Sequence, residues 1–254
     1  MKFGMPWQQA LDNQLVFNAV DACAKLGING DDMEKRWMKA KDDGQLVKFG
    51  GGFYCASIPA QVATVTKSMY TINGFYMSMR DCYTTPGANI HYFDIQWDRE
   101  KSSWADFRQI ILGATDPDAS APGSLRGQIK AKWQELGLTA APTIANNGVH
   151  ASASPLEAMA ERANWLGDDL EQDTLSKAMT DAGIPLATQR EWCLDPQVAF
   201  EGKNVSLFDT LEDLDVWPLL GRAARIVDVP APAEDKKASC PPNRALLFIK
   251  PQAF

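Results

Sequence analysis

Histidine is scarce in this 254-residue sequence: only His91 and His150 are present. A metal site built from several histidines is excluded, and any imidazole chemistry must run through one of these two. Cysteine is little better represented. Cys23, Cys55, Cys82, Cys193 and Cys240 are odd in number, widely spaced and include no CxxC pair. That excludes a zinc ribbon and a thioredoxin motif, and it suits free buried thiols in a reducing compartment. No apolar run approaches the roughly 18 residues of a membrane helix. The opening MKFGMPWQQALDNQ turns polar too early for a signal-peptide core. A cytoplasmic location with no membrane partner is the expectation. Positive charge is in deficit: 25 Lys and Arg stand against 32 Asp and Glu, a net charge of −7. Global attraction to nucleic acid is thereby disfavoured, whereas a small anionic ligand needs only a few local cations.

What is present is a globular composition, 45% hydrophobic and 22% charged, which excludes a disordered, collagen-like or coiled-coil chain. The length fits one large domain or two small ones. Gly27-Ile28-Asn29-Gly30 reads as a helix stop, and Asp31-Asp32 as the start of a helix running to about Lys41. Gly50-Gly51-Gly52 reads as a tight turn or a distorted strand; no Gly-Lys-Ser follows, so it is not a P-loop. Residues 72–80 and 90–97 are aromatic-rich and separated by Pro86-Gly87, the pattern of two strands. In the second, His91, Phe93, Ile95 and Trp97 share a mostly apolar face, so His91 reads as a packed or edge residue. Ser102 or Ser103 caps a helix with an apolar stripe of Trp104, Phe107, Ile110 and Ile111. A second helix is expected from Leu125 to Leu136, a short strand over 143–150, and a helix starting at Ser154-Pro155. Residues 226–243 are proline-rich and read as an extended linker. The stretch 245–249 that follows is apolar on both faces. It predicts a central strand, in the same sheet as 90–97 and 143–150, with Lys250 pointing towards His150.

Three segments carry the chemistry: LGATDPDASAPGSLRG (112–127), NNGVHASASPLEAMAERANWL (146–166) and LLFIKPQAF (246–254). Together they resemble the nucleoside diphosphate kinase family. Its pattern runs LGATDP…APGTIRG, then N-x-x-H-G-S-D-S before a helix carrying a glutamate, with an opening strand that ends in IKPD. The resemblance covers about half of the chain; residues 1–70 and 167–243 have no counterpart. It implies an α+β fold, a ferredoxin-like antiparallel sheet with helices packed on it. The organisation it implies is an N-terminal elaboration (1–71), a kinase-like core (72–166), a C-terminal helical extension (167–225), the linker (226–243) and the returning strand (244–254).

The resemblance also implies a reaction. An imidazole takes the γ-phosphate of a nucleoside triphosphate and passes it to a diphosphate, so covalent catalysis splits the transfer into two similar steps. Carried over residue by residue, His150 matches the phosphorylated histidine and Glu161 the glutamate that orients it. Ser152 matches the serine supporting that glutamate. Lys250, Thr115, Arg126 and Asn147 match the residues that hold phosphate and ribose. The implied substrates are Mg²⁺-bound nucleoside tri- and diphosphates, with Mg²⁺ arriving on the nucleotide and no separate protein metal site. A homo-oligomer or neighbouring repeat units are the implied protein partners.

The sequence also departs from the pattern. HGSDS is replaced by His150-Ala151-Ser152-Ala153-Ser154, and Gln109 stands where an arginine is expected. Arg108 lies next door, but one residue along a helix turns a side chain by roughly 100°. The family's first strand comes last here, which reads as a permuted slice or a fragment of a tandem repeat. These departures keep a second reading open: a weakened nucleotide-binding or structural repeat module of the same fold.

Overall fold

A computed structural model of the chain describes residues 3–50, 53–62 and 65–253. The fold is mixed α/β with antiparallel sheets, and it divides into two units at Asn89/Ile90. The first unit holds α1 (Trp7–Asp12), β1 (Val16–Asn18), α2 (Ala19–Leu26), α3 (Gly30–Asp42), β2 (Leu46–Gly50), β3 (Phe53–Val62), β4 (Val65–Ile72) and α4 (Met77–Thr84). Its sheet runs β1-β4-β3-β2, with β1 parallel to β4 and the other pairs antiparallel. Asn18 and Asn29 cap α2 and α3 by accepting the backbone N–H groups of Asp21 and Asp32. Gly27, at φ +64°, ends α2 in the left-handed conformation that glycine adopts without penalty. The helices then bury Ala22, Met33 and Trp37 against Ala56, Ile58 and Met69 of the sheet.

The strand expected over 72–80 is not formed. Asn73 takes a left-handed turn at φ +52° and α4 follows. Packing decides this against the local aromatic content. The Asp81 carboxylate accepts the Gly30 N–H at 2.7 Å. A Cβ on Gly30 would lie 2.4 Å from the Met77 carbonyl oxygen, so the two helices meet backbone to backbone. Because β4 and α4 complete this unit, it ends at residue 89 rather than at 71. Gly51 and Gly52 of the glycine triplet lie outside the described residues.

The second unit holds β5 (His91–Trp97) and α5 (Trp104–Asp106), which runs on into a π-helical turn, Phe107–Leu112. Then come α6 (Leu125–Lys132), β6 (Val149–Ala151), α7 (Pro155–Leu166), α8 (Thr174–Asp181), α9 (Leu186–Trp192), β7 (Gln197–Phe200), β8 (Lys203–Ser206), α10 (Leu207–Leu211), α11 (Val216–Ile226) and β9 (Asn243–Ile249). Sheet order is β5-β9-β6, all antiparallel, with β7-β8 a separate hairpin. The central place of β9 follows from its two apolar faces: Ala245, Leu246 and Phe248 are all buried. One core gathers Trp104, Phe107, Val149, Ala158 and Ala245. A second, built on Leu156, Met159, Met179, Leu207 and Leu219, joins α7 to the helices that follow.

Three expectations here need correction. The strand over 143–150 shrinks to 149–151, because Thr143 and Asn146 close a turn and Gly148 bends the chain at φ +84°. The helix from Leu125 stops at Lys132. The proline-rich stretch is not a free linker. It forms a 3-10 turn at Glu234–Ser239, and the Arg99 guanidinium donates to the carbonyls of Lys237, Cys240 and Pro241 at 2.6–3.2 Å. Among the described residues no helix is long and apolar enough to cross a membrane.

Candidate functional site

His150 is the middle residue of β6, flanked by buried Val149 and Ala151. Its register partner on β9 is Phe248, whose ring stacks on the imidazole at 4.6 Å between centroids. Residues paired across an antiparallel ladder share a face, and so do residues two apart on one strand. By that alternation Lys250, just past the end of β9, falls on the His150 side of the sheet. Its N–H donates to the Gly148 carbonyl at 2.9 Å.

Behind the imidazole, α7 supplies the carboxylate. Ser154 caps this helix through the Glu157 N–H, and Pro155 occupies its first position. Glu161 follows on the face turned to β6. Its Oε1 accepts the hydrogen bond of His150 Nε2. Ser152 Oγ donates to the other carboxylate oxygen at 2.6 Å, and is itself fixed by the Leu246 N–H at 3.1 Å. A carboxylate on Nε2 holds the proton there and leaves Nδ1 with the lone pair. The sheet, the serine and the helix therefore set both the tautomer and the orientation of one ring.

Two cations are buried nearby. Arg126, in the first turn of α6, donates to the carbonyls of Gly113 at 2.8 Å and Val149 at 3.2 Å, while its Nε has no partner. Lys250 is only 8% exposed, and its ammonium reaches the Ala145 carbonyl at 3.5 Å. Among the described residues neither forms an ion pair with a carboxylate. Burial pushes the Lys250 ammonium down to about 8, and the Arg126 charge adds to the effect. Burial also pushes Arg126 down to about 10, helped by the Arg108 charge. Asn147 is buried too. Its amide donates to the Thr115 carbonyl at 3.0 Å, and its Oδ1 has no partner. Thr115 is exposed at the rim. Unpaired buried cations are expensive, and they cluster where an anion is bound in the working state. The arrangement can hold a polyanion beside the imidazole.

The structure thus gathers His150, Glu161 and Ser152 in one hydrogen-bonded chain. It places Arg126 in the first turn of α6, and Lys250, Asn147 and Thr115 on the loops and strand end around β6. Three further residues, Glu157, Glu212 and Asp213, escaped the sequence reading, and Arg108 was set aside by it. Arg108 is not turned away: the π-helical turn takes up one residue more than an α-turn. Arg108 lies close enough for its charge to act on Arg126 and Glu157. It is engaged, however, by Glu212 and Asp213, each 2.7 Å from Nη1. These acids come from the turn after α10, and nothing in the sequence linked that turn to residue 108. Glu157 is the third. It stands one helical turn before Glu161, and burial, then the Glu161 charge, push its carboxyl up to about 7. Its spacing of four from Glu161 was the available signal. A cleft of about 530 Å³ lined by Asp181, Trp217, Val229 and Cys240 includes none of these residues. A scan against protein-family models, a search of curated proteins and a search of solved structures find no match for this chain.

Proposed function

We propose that the second unit is a nucleoside diphosphate kinase-like phosphotransferase. The observation that carries this reading is a pair of buried cations, Arg126 and Lys250, without carboxylate partners among the described residues, set beside an imidazole held by Glu161. The β5-β9-β6 order is read as three strands of a ferredoxin-like sheet. In the reaction, Nδ1 of His150 attacks the γ-phosphorus of a Mg²⁺-bound nucleoside triphosphate. The N–P bond forms as the bridging P–O bond breaks, and the diphosphate leaves with that electron pair. A second diphosphate then attacks the phosphohistidine through its terminal oxygen and restores the imidazole. The proton on Nε2 stays shared with Glu161 throughout. Arg126 and Lys250 stabilise the charge on the transferring group, while Asn147 and Thr115 position the nucleotide. A cytoplasmic setting and association with further copies or repeats belong to the same reading.

One observation favours a second reading, nucleotide binding without turnover. The cation Arg108 is neutralised by Glu212 and Asp213, which removes one positive charge from the phosphate path. Incubation with γ-labelled ATP, followed by an alkaline gel, separates the two. Acid-labile label on the protein, lost in His150→Ala and kept in His91→Ala, is the expected result. Label that survives His150→Ala, or binding of nucleotide with no label, overturns the kinase reading.

A further inference from the structure

Among the described residues, the donor atoms of His150, Glu157 and Glu161 lie within 4.8 Å of one another. Glu157 and Glu161 sit four apart on α7, so both carboxylates face β6, and His150 points at them from that strand. We propose that these three residues bind a borderline divalent cation of the Zn²⁺ class, and that its binding turns the His150 chemistry off. The second half rests on the phosphotransferase reading; the first does not.

The donor set selects the ion. One imidazole nitrogen and two carboxylates suit Zn²⁺ or Co²⁺, with a fourth position left open, whereas Mg²⁺ prefers an all-oxygen octahedron. A tetrahedral ion with bonds of about 2.0–2.1 Å needs donors roughly 3.4 Å apart. The three donors, all within 4.8 Å of one another, are on the scale of that spacing. Glu161 is already oriented by Ser152, the kind of outer support that metal ligands use.

Proton placement makes the two activities exclusive. In the metal-free site the imidazole proton is on Nε2 and the lone pair on Nδ1. A metal at Nε2 takes the lone pair of that nitrogen, so the single proton of the neutral ring moves to Nδ1. The nitrogen that attacks phosphorus is then blocked. Nothing is oxidised or reduced, and the metal ion leaves unchanged on chelation.

The test uses the full, tag-free chain after dialysis against chelator. Zn²⁺ binding is measured by calorimetry, and Co²⁺ binding by its visible absorption. The expected result is one site with the intense bands of four-coordinate Co²⁺, weakened at least tenfold in Glu157→Gln and lost in His150→Ala. Circular dichroism confirms that both variants are folded. Absence of binding at millimolar Zn²⁺, or binding undiminished by Glu157→Gln, overturns the site. Phosphoenzyme formation is assayed separately with Mg²⁺-ATP, with and without Zn²⁺. Zn²⁺ should suppress label in the parent chain at concentrations at least tenfold below those needed in Glu157→Gln, and equal suppression in both overturns the switch. Zn²⁺ binding with no label under any condition leaves the metal site standing and removes the kinase reading.

Discussion

Replacing Lys250 by methionine should make the second unit more stable while destroying its affinity for polyphosphate. Methionine keeps the length and the apolar stem of the side chain and removes the charge. In the folded chain the ammonium is pushed from its ordinary 10.5 down to about 8, by burial first and by Arg126 second. Each tenfold change in an ionisation equilibrium is worth about 1.4 kcal/mol. The charged form at neutral pH is therefore disfavoured by up to about 3 kcal/mol. The sign follows from proton counts. Below pH 8 both folded and unfolded chains carry the charge, and the full penalty applies. Between 8 and 10.5 the folded chain has released a proton that the unfolded chain still holds, so the penalty fades as pH rises. Lys250→Met should thus gain about 2–3 kcal/mol at pH 7 and little at pH 10.5. Hydrogen exchange of the β9 and α7 amides reads this unit by itself, and about 2 kcal/mol appears as roughly thirtyfold slower exchange. Inorganic triphosphate should stabilise the parent chain and not the variant. A variant that is less stable at pH 7, or that responds to triphosphate as the parent does, refutes the reading of Lys250 as an unpaired cation awaiting an anion.

Glu161→Gln keeps the shape of the hydrogen bond to His150 but loses the charge that fixes the Nε2 proton. Phosphoenzyme should form about 10²–10³ times more slowly, with triphosphate affinity unchanged in a direct binding assay. Leu246 is fully buried, and its N–H and carbonyl flank Ser152. Leu246→Ala should cost about 2–5 kcal/mol in β9 and β6, measured by the same exchange experiment.

Much of the second unit was legible because its local signals agree with its packing. The two apolar faces of 245–249 demanded the centre of a sheet. Ser154-Pro155 marked the start of α7, and the resemblance to the nucleoside diphosphate kinase pattern implied that Glu161 on this helix lies behind the ring. The failures have separate physical causes. Residues 72–80 carry strand composition, yet the close approach of Gly30 to the Met77 backbone and the capping by Asp81 make them a turn and a helix. Trp104 and Phe107 pack on Trp97 where the chain enters the π-helical turn at 107–112, and the extra residue of such a turn changes which side chain lies on a given face. Glu212 and Asp213 reach Arg108 only through the tertiary path of α10, which no local pattern reports.

The position of β9 also governs when this unit can take shape. Among the described residues β5 and β6 do not pair with each other, and each pairs with β9. The contact from Asp94 to Arg244 spans 150 residues, and that from Ser152 to Leu246 spans 94. Closing such long loops is slow. During synthesis the helices α7 to α11 emerge first and can collapse around Met159 and Leu219. The edges of β5 and β6 stay unpaired until residues 243–249 leave the ribosome. Tyr92 and Phe93, still about half exposed in the finished fold, are then bare beside an open strand edge. Truncation just before Asn243 should therefore yield a chain that retains helix but aggregates through these edges.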